Sequence, residues 1–265
     1  MKTLKSSKGR FNMDMQKVGS RGTMVTYQEL ADTEFACTSN IYIISCSGEM
    51  VVIDTFLGPR IMADTFQELE ANANEVKIVI NTHSDWDHIW GNSYFKNSMI
   101  VAHKNFAEYL MKTDTEEFQE LEKYAEGPIE IIHPTLTFDK RIYFEKLGIE
   151  VFYSPGHTGD SISIYDTKDK ILIVGDNCES PIPSYVNGLL LEEHLESLKN
   201  YLTYDFEFII PGHGKMMTRQ DLVDNIQYIE DLIEGDPDKL KFYEMGESKL
   251  IHLTNQLYME NSINQ

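Results

Sequence analysis

His83-Ser84-Asp85-Trp86-Asp87-His88 places four candidate metal ligands within six residues. It follows Val76-Lys77-Ile78-Val79-Ile80-Asn81, a short apolar run with β-branched residues that reads as a buried strand. A strand that stops in His and Asp residues presents imidazoles and carboxylates at its C-terminal edge, where an α/β sheet usually carries its chemistry. Both tryptophans, Trp86 and Trp90, lie in the same region, one helical turn apart, so at least one is expected to be buried. The bland alternative is a helix start near His88, with Asp85 or Asp87 serving only as its cap.

Three later segments repeat the arrangement. Ile149-Glu150-Val151-Phe152-Tyr153 leads into Ser154-Pro155-Gly156-His157-Thr158-Gly159-Asp160. Lys170-Ile171-Leu172-Ile173 leads into Val174-Gly175-Asp176-Asn177, and Phe206-Glu207-Phe208-Ile209-Ile210 into Pro211-Gly212-His213-Gly214. Each sets a His or Asp directly after a strand, in a glycine-containing turn that lets backbone approach closely. Packing alone does not select four loops that each deliver ligand residues at a strand end.

On these residues the chain, from roughly 24 to 217, resembles the metallo-β-lactamase superfamily. The pattern of that family is His-x-His-x-Asp-His, then a Gly-His-Thr loop, a Gly-Asp and a Gly-His. His83, Asp87, His88, His157, Asp176 and His213 match it by position, and Asp85 departs from it by standing where the family has His. The resemblance implies an α/β fold, a four-layer αβ/βα sandwich, with two divalent metal ions at one edge. One ion would be held by His83, Asp85 and His157, the other by Asp87, His88 and His213, and Asp176 would bridge them. Asp54, at the end of Met50-Val51-Val52-Ile53, matches a family position whose role is structural support of the metal loop rather than ligation.

The departure at Asp85 changes the charge of the site. Two divalent ions carry four positive charges, which three Asp ligands and a bridging hydroxide neutralise, whereas the three-His version keeps one net positive charge. A more anionic ligand set makes the metals weaker Lewis acids and raises the pKa of bound water. Replacing a nitrogen donor by a hard oxygen shifts preference towards iron or manganese relative to zinc. A carboxylate, there Glu, also stands at this position in the flavodiiron branch of the superfamily. The alternative is that Asp85 lies outside the ligand sphere, with water completing the coordination.

Composition narrows the function classes. The net charge of −20 argues against a nucleic-acid-binding face and against docking on anionic membranes. No apolar run reaches membrane-spanning length, and the N-terminus is Lys-rich without a hydrophobic signal core. Cys37, Cys46 and Cys178 are too few for a disulfide framework, so a reducing cytoplasm is expected.

The chain divides into a polar N-terminal arm or edge strand (1–23), the metallo-β-lactamase-like domain (24–217) and a helical C-terminal extension (218–265). Strands are expected near Ile41–Ser45, Met50–Asp54 and Val76–Asn81. A helix starts at Pro59 with the stripe Ile61, Met62, Thr65, Phe66 and Leu69, and helical periodicity recurs from Asn105 to Tyr124. Strands return from Ile129 to Val174, followed by a helix over Leu190–Tyr204. Thr218 and Asp221 form a capping-box pattern. That helix breaks at Gly235-Asp236-Pro237, and a further one is expected from Pro237 to near Tyr258. The extension is expected to pack on the core, with covering the site or pairing as a homo-oligomer as alternatives. His103, after the strand Met99-Ile100-Val101-Ala102, is expected to cap or support the next helix, His133 lies in a turn before Pro134, and His194 and His252 lie on expected helices with no neighbouring ligand residues, so none is expected to bind metal; Cys178 is read as an inert small side chain.

Two functional readings follow from the resemblance. The first is a metal-dependent hydrolase of a small-molecule ester, thioester, lactone or amide, with phosphodiesters less suited to the acidic surface. A bridging hydroxide would attack, the metals would clamp the substrate and leaving-group oxygens, and Asp87 would orient the nucleophile and shuttle its proton. Zinc β-lactamases with Cys at the place of Asp176 do not match. Acyl-homoserine lactonases carry Tyr three positions after that Asp, where this chain has Glu179, although Tyr185 stands nearby as a substitute. The basic C-terminal cluster that the glyoxalase II branch uses is also absent. The second reading is a diiron oxygen-binding or redox protein, which rests on Asp85 and lacks a flavodoxin-like domain to deliver electrons.

Overall fold

The computed structural model describes residues 3–5, 10–46, 48–112 and 115–264. The chain opens with strands β1 (Thr3–Lys5), β2 (Met13–Val18), β3 (Gly22–Tyr27), β4 (Ser39–Cys46) and β5 (Glu49–Ile53). Helix α1 (Pro59–Glu68) leads to β6 (Val76–Ile80), the one-turn helix α2 (Trp86–Ile89) and β7 (Met99–His103). Helices α3 (Phe106–Lys112) and α4 (Thr115–Leu121) precede β8 (Leu136–Phe138), β9 (Arg141–Phe144) and β10 (Ile149–Tyr153). Then come β11 (Ile162–Asp166), β12 (Ile171–Gly175), α5 (Leu191–Tyr201) and β13 (Phe208–Pro211). Helices α6 (Arg219–Glu234), α7 (Pro237–Leu240) and α8 (Ser248–Asn264) complete the chain.

Two sheets result. The first runs β1 to β8 in sequence order, antiparallel from β1 to β5 and parallel from β5 to β8. The second runs β13-β12-β11-β10-β9 and is antiparallel except for the parallel pair β12–β13. Alternation along the strands separates a core between the sheets from one on the outer face of each. Val51, Ile53, Ile78 and Ile80 meet Ile162, Ile164, Ile171 and Ile173 between the sheets. Ile61, Met62 and Phe66 of α1 cover the outer face of the first sheet together with Val52 and Val79. Leu198 and Tyr201 of α5, with Leu222, Ile226 and Ile229 of α6, cover Leu172 and Val174 on the second. This is the αβ/βα sandwich, and burying both faces of β12 explains its unbroken run Ile171-Leu172-Ile173-Val174.

Local differences have local causes. Strand structure does not begin at Ile129: residues 129–135 belong to no strand, and β8 starts at Leu136. The expected helix from Pro237 is interrupted after a short 3-10 turn, where Gly246 adopts φ 65°, so α8 begins afresh at Ser248. The capping box at Thr218 is formed, with Asp221 accepting from the Thr218 N–H at 2.8 Å. Trp90 is fully buried and Trp86 partly exposed. Among the described residues no helix is long and apolar enough to cross a membrane.

The two sheets are joined at the edge where the ligand-bearing loops emerge. The Asn40 N–H donates to the Gly212 carbonyl at 2.7 Å, and Asn40 Nδ2 donates to the carbonyls of Pro211 and Gly214. The Ile162 N–H donates to the Thr82 carbonyl at 2.8 Å, which ties the second sheet to the loop after β6. These cross-links tie the start of β4 to the loop after β13 and the start of β11 to the loop after β6.

Candidate metal centre

Asp54 ends β5 in the left-handed region, at φ 59°, a conformation a non-glycine residue holds only when its surroundings enforce it. Its carboxylate accepts from the Thr82 N–H and the Thr82 hydroxyl, each at 2.8 Å, and pairs with His88 Nδ1 at 2.9 Å. One buried carboxylate thus sets both the loop after β6 and the orientation of His88. Asp85 occupies the N-cap position of α2 but makes no side-chain cap bond. Its Oδ2 lies instead 3.2 Å from His157 Nε2 and 3.4 Å from His83 Nε2. The helix-cap explanation of Asp85 therefore fails.

Asp176 is the centre of the cluster. Its Oδ2 lies 3.1 Å from His213 Nε2, 3.4 Å from His88 Nε2, and 3.8 Å from the Nε2 atoms of both His83 and His157. Asp87 reaches His213 Nε2 at 3.3 Å and His88 Nε2 at 3.8 Å. Ligand-capable atoms therefore form three overlapping groups: His83–Asp85–His157, Asp87–His88–His213, and His83–His88–Asp176. The approach of β13 to Asp176 depends on Gly212, where a Cβ would lie 2.0 Å from Asp176 Oδ1. His103, His133, His194 and His252 enter none of these groups.

The donor set suits divalent cations. His83 Nε2, His88 Nε2 and Asp176 Oδ1 are buried without a hydrogen-bond partner, an arrangement that protein alone leaves unsatisfied. On the opposite ring edges, Nδ1 of His88 is held by Asp54 and Nδ1 of His213 by Ser39 Oγ at 3.2 Å. Nδ1 of His83 lies 3.0 Å from the Thr82 hydroxyl. Partners at Nδ1 fix the rings and direct the Nε2 lone pairs inwards, as in metal-bound histidines.

Protons compete with metal for these atoms. Burial works to lower the His157 imidazole, but the Asp85 hydrogen bond and the Asp176 charge outweigh it and raise the group to about 9. Against the same opposition from burial, Asp176 raises His88 and His213 well above the usual imidazole range. Burial opposes ionisation of Asp176, yet His213 and His88 hold its carboxyl well below the usual carboxylate range. In protein prepared without metal this environment favours the protonated imidazoles, and a cation competes with those protons. Metal uptake at pH 7 should therefore release about two or more protons per chain, and affinity should climb with pH towards about 9. Calorimetry in buffers of different ionisation enthalpy measures this, and proton-neutral uptake would refute it.

The profile of the family described as "Metallo-beta-lactamase superfamily" matches residues 35–213. The chain belongs to the metallo-beta-lactamase superfamily. A protein described as a probable metallo-hydrolase, from Methanocaldococcus jannaschii, is 29% identical over 65% of this chain and 75% of the relative. A beta-lactamase-like protein 2 homolog of Caenorhabditis elegans is 23% identical over 84% of this chain and 72% of its own. Among solved structures, a metallo-beta-lactamase from Pontibacter korlensis superposes with a TM-score of 0.65 at 19% identity, covering 83% of this chain and all of the other. One from Hirschia baltica gives 0.62 at 19% identity, covering 82% and 97%. Asp85 is the most open of the carboxylates in these groups, with 41% of its side chain exposed against 7% for Asp176.

Several supporting residues carry no sequence signal. His194, 1% exposed, reaches the Asn177 carbonyl through Nε2 at 2.6 Å. Asn177 accepts from the His157 N–H at 2.9 Å and donates to Tyr201 Oη at 2.8 Å. Thus a histidine outside the ligand groups holds the loop that presents one inside them. Burial lowers the His194 imidazole to about 4, so it acts as a neutral donor. Cys178 points into the core beneath the second sheet, and burial pushes its thiol well above the usual range.

Proposed function

We propose that the protein is a metal-dependent hydrolase that uses two divalent cations on a small ester, thioester, lactone or amide. The observation that carries this reading is that Asp176 Oδ2 lies within 3.8 Å of imidazole nitrogens from both ends of the cluster, His83 and His157 on one side and His88 and His213 on the other. His83, Asp85 and His157 would hold one ion, and Asp87, His88 and His213 the other. When bound, such a pair supplies an activated water and polarises the substrate oxygen. Asp87, against His213 and His88 at the edge of the second group, is placed to orient the attacking water and to pass its proton to the leaving atom. Asp54 and Asn177 keep His88 and His157 in place throughout. The description of the Methanocaldococcus jannaschii relative as a probable metallo-hydrolase supports the reaction class.

The acidic ligand set supports iron or manganese as serious competitors of zinc. It also supports the second reading, a diiron oxygen-binding or redox protein, because Asp85 lies among the ligand groups and not outside them. Purified protein loaded separately with zinc, manganese and ferrous iron should hydrolyse members of an ester, thioester, lactone and amide panel and lose activity to chelators. Absence of hydrolysis with every metal, together with rapid oxygen consumption by the ferrous form, would replace the first reading by the second.

A further inference from the structure

Helix α8 turns two buried polar side chains towards its own chain and a row of leucines outward. His252 and Asn255 are fully buried, beside Ile251 and Met259. Tyr228 Oη of α6 lies 3.0 Å from His252 Nδ1 and accepts from Asn255 Nδ2 at 3.0 Å. Asn255 also donates to the Pro183 carbonyl at 2.7 Å and accepts from the Val186 N–H at 3.2 Å. Rotating the helix to bury its leucines would break these bonds inside the protein, where unpaired polar groups are costly. The inner face is therefore committed. Leu250, Leu253 and Leu257, at helical spacing i, i+3 and i+7, are left 70, 40 and 65% exposed.

Apolar exposure is concentrated here. Among the described residues thirteen large apolar side chains are exposed, and six of them, the three leucines with Phe242, Met245 and Tyr258, fall within residues 242–258. Two more border the same helix: Tyr185, whose ring lies 5.6 Å from that of Tyr258, and Leu189, next to the Gly188 whose N–H donates to Ser262 Oγ. At 36 to 70% exposure these eight side chains present on the order of 800 Å², the share of one partner in an interface of standard size. A patch of this extent marks an interaction surface, whereas apolar residues scattered singly do not.

Charge selects the partner. The chain carries a net charge of −20, so two copies repel each other over most of their surface. From Ser248 to Asn264, however, the charged residues are one Lys and one Glu, Lys249 and Glu260, which cancel. A second copy meets the least repulsion along this helix. An antiparallel two-fold pairing sets Leu250 against Leu257 of the second copy and Leu253 at the axis. The same pairing brings the Lys249 end of each helix beside the Glu260 end of the other. We propose that the protein forms a two-fold homodimer through the outer face of α8, with Leu250, Leu253 and Leu257 at its centre.

Sedimentation velocity of the metal-loaded full chain across the micromolar range tests this. The expected species is a dimer that grows no further with concentration. It should tighten as salt is raised, because screening weakens the repulsion between acidic copies while apolar contacts persist. Leu250→Glu combined with Leu257→Glu should weaken pairing by at least about a hundredfold, since each change occurs twice across the axis. Leu250→Met combined with Leu257→Met should keep pairing within about threefold, because Met conserves apolar volume. Met111→Glu, at a 77% exposed position on α3, should leave it unchanged. Circular dichroism of each variant confirms folding. A monomer at tens of micromolar, a dimer that survives the paired Glu changes, or one that dissolves as salt rises overturns the proposal. So does flotation of the monomer with phosphatidylcholine vesicles that the paired Glu variant loses, which would assign the face to a lipid surface.

Discussion

Asp176→Ala is expected to release both metal ions and to lower hydrolysis by well over the ~100-fold that loss of an outer-sphere partner costs. Among the described residues, Asp176 Oδ2 is the one acidic atom within 3.8 Å of all four imidazole Nε2 atoms. If Asp176 serves both ions, its removal would leave each of them one donor short and would take away a negative charge that offsets their repulsion. His213→Ala, by contrast, touches the second group alone and should mainly empty that one. Metal per chain after dialysis, read by mass spectrometry beside circular dichroism to confirm folding, decides the matter. Equal loss of both ions from the two variants would contradict the assigned ligand groups.

The second large effect is at Asp85. Asp85→His should rebuild a three-imidazole group and leave one extra positive charge beside the bound water. Zinc preference should rise, and the acidic limb of the pH–rate profile should move to lower pH, because the water becomes more acidic. Asp85→Asn keeps the size, removes the charge and weakens ligation, so it should lose metal instead. The contacts of Asp85 with His157 and His83, 3.2 and 3.4 Å, place it among the donors. Were it only a partner of bound water, both changes would alter affinity by no more than about a hundredfold and leave metal preference untouched. Metal competition and pH–rate profiles of the two variants side by side distinguish these outcomes.

The ligands were legible in the sequence because each sits immediately after an apolar, β-branched run, and strand ends are set by local pattern. His83, Asp87 and His88 follow β6, His157 follows β10, Asp176 follows β12 and His213 follows β13. The support role of Asp54 came from the family resemblance, which implies a structural carboxylate at that position. What lay beyond reach depends on contacts between distant residues. His194 and Asn177 act on His157 through bonds spanning 17 and 20 residues, one of them to a backbone carbonyl that any residue type supplies. The backbone of Glu179 is held by Asn225, 46 residues away on α6. The break before α8 was missed because Gly246, within an otherwise helical composition, marks it without a flanking proline. On α8 itself, His252 and Asn255 face inwards while Leu250, Leu253 and Leu257 are exposed, so hydrophobic spacing there misreports the buried face.

The central claim is that this one cluster holds two metal ions. Protein stripped of metal with chelator and titrated with zinc, manganese or ferrous iron tests it most directly. Uptake should saturate near two ions per chain, with hydrolysis appearing as the second equivalent binds. Saturation near zero with all three metals, in protein whose circular dichroism shows it folded, would contradict the account.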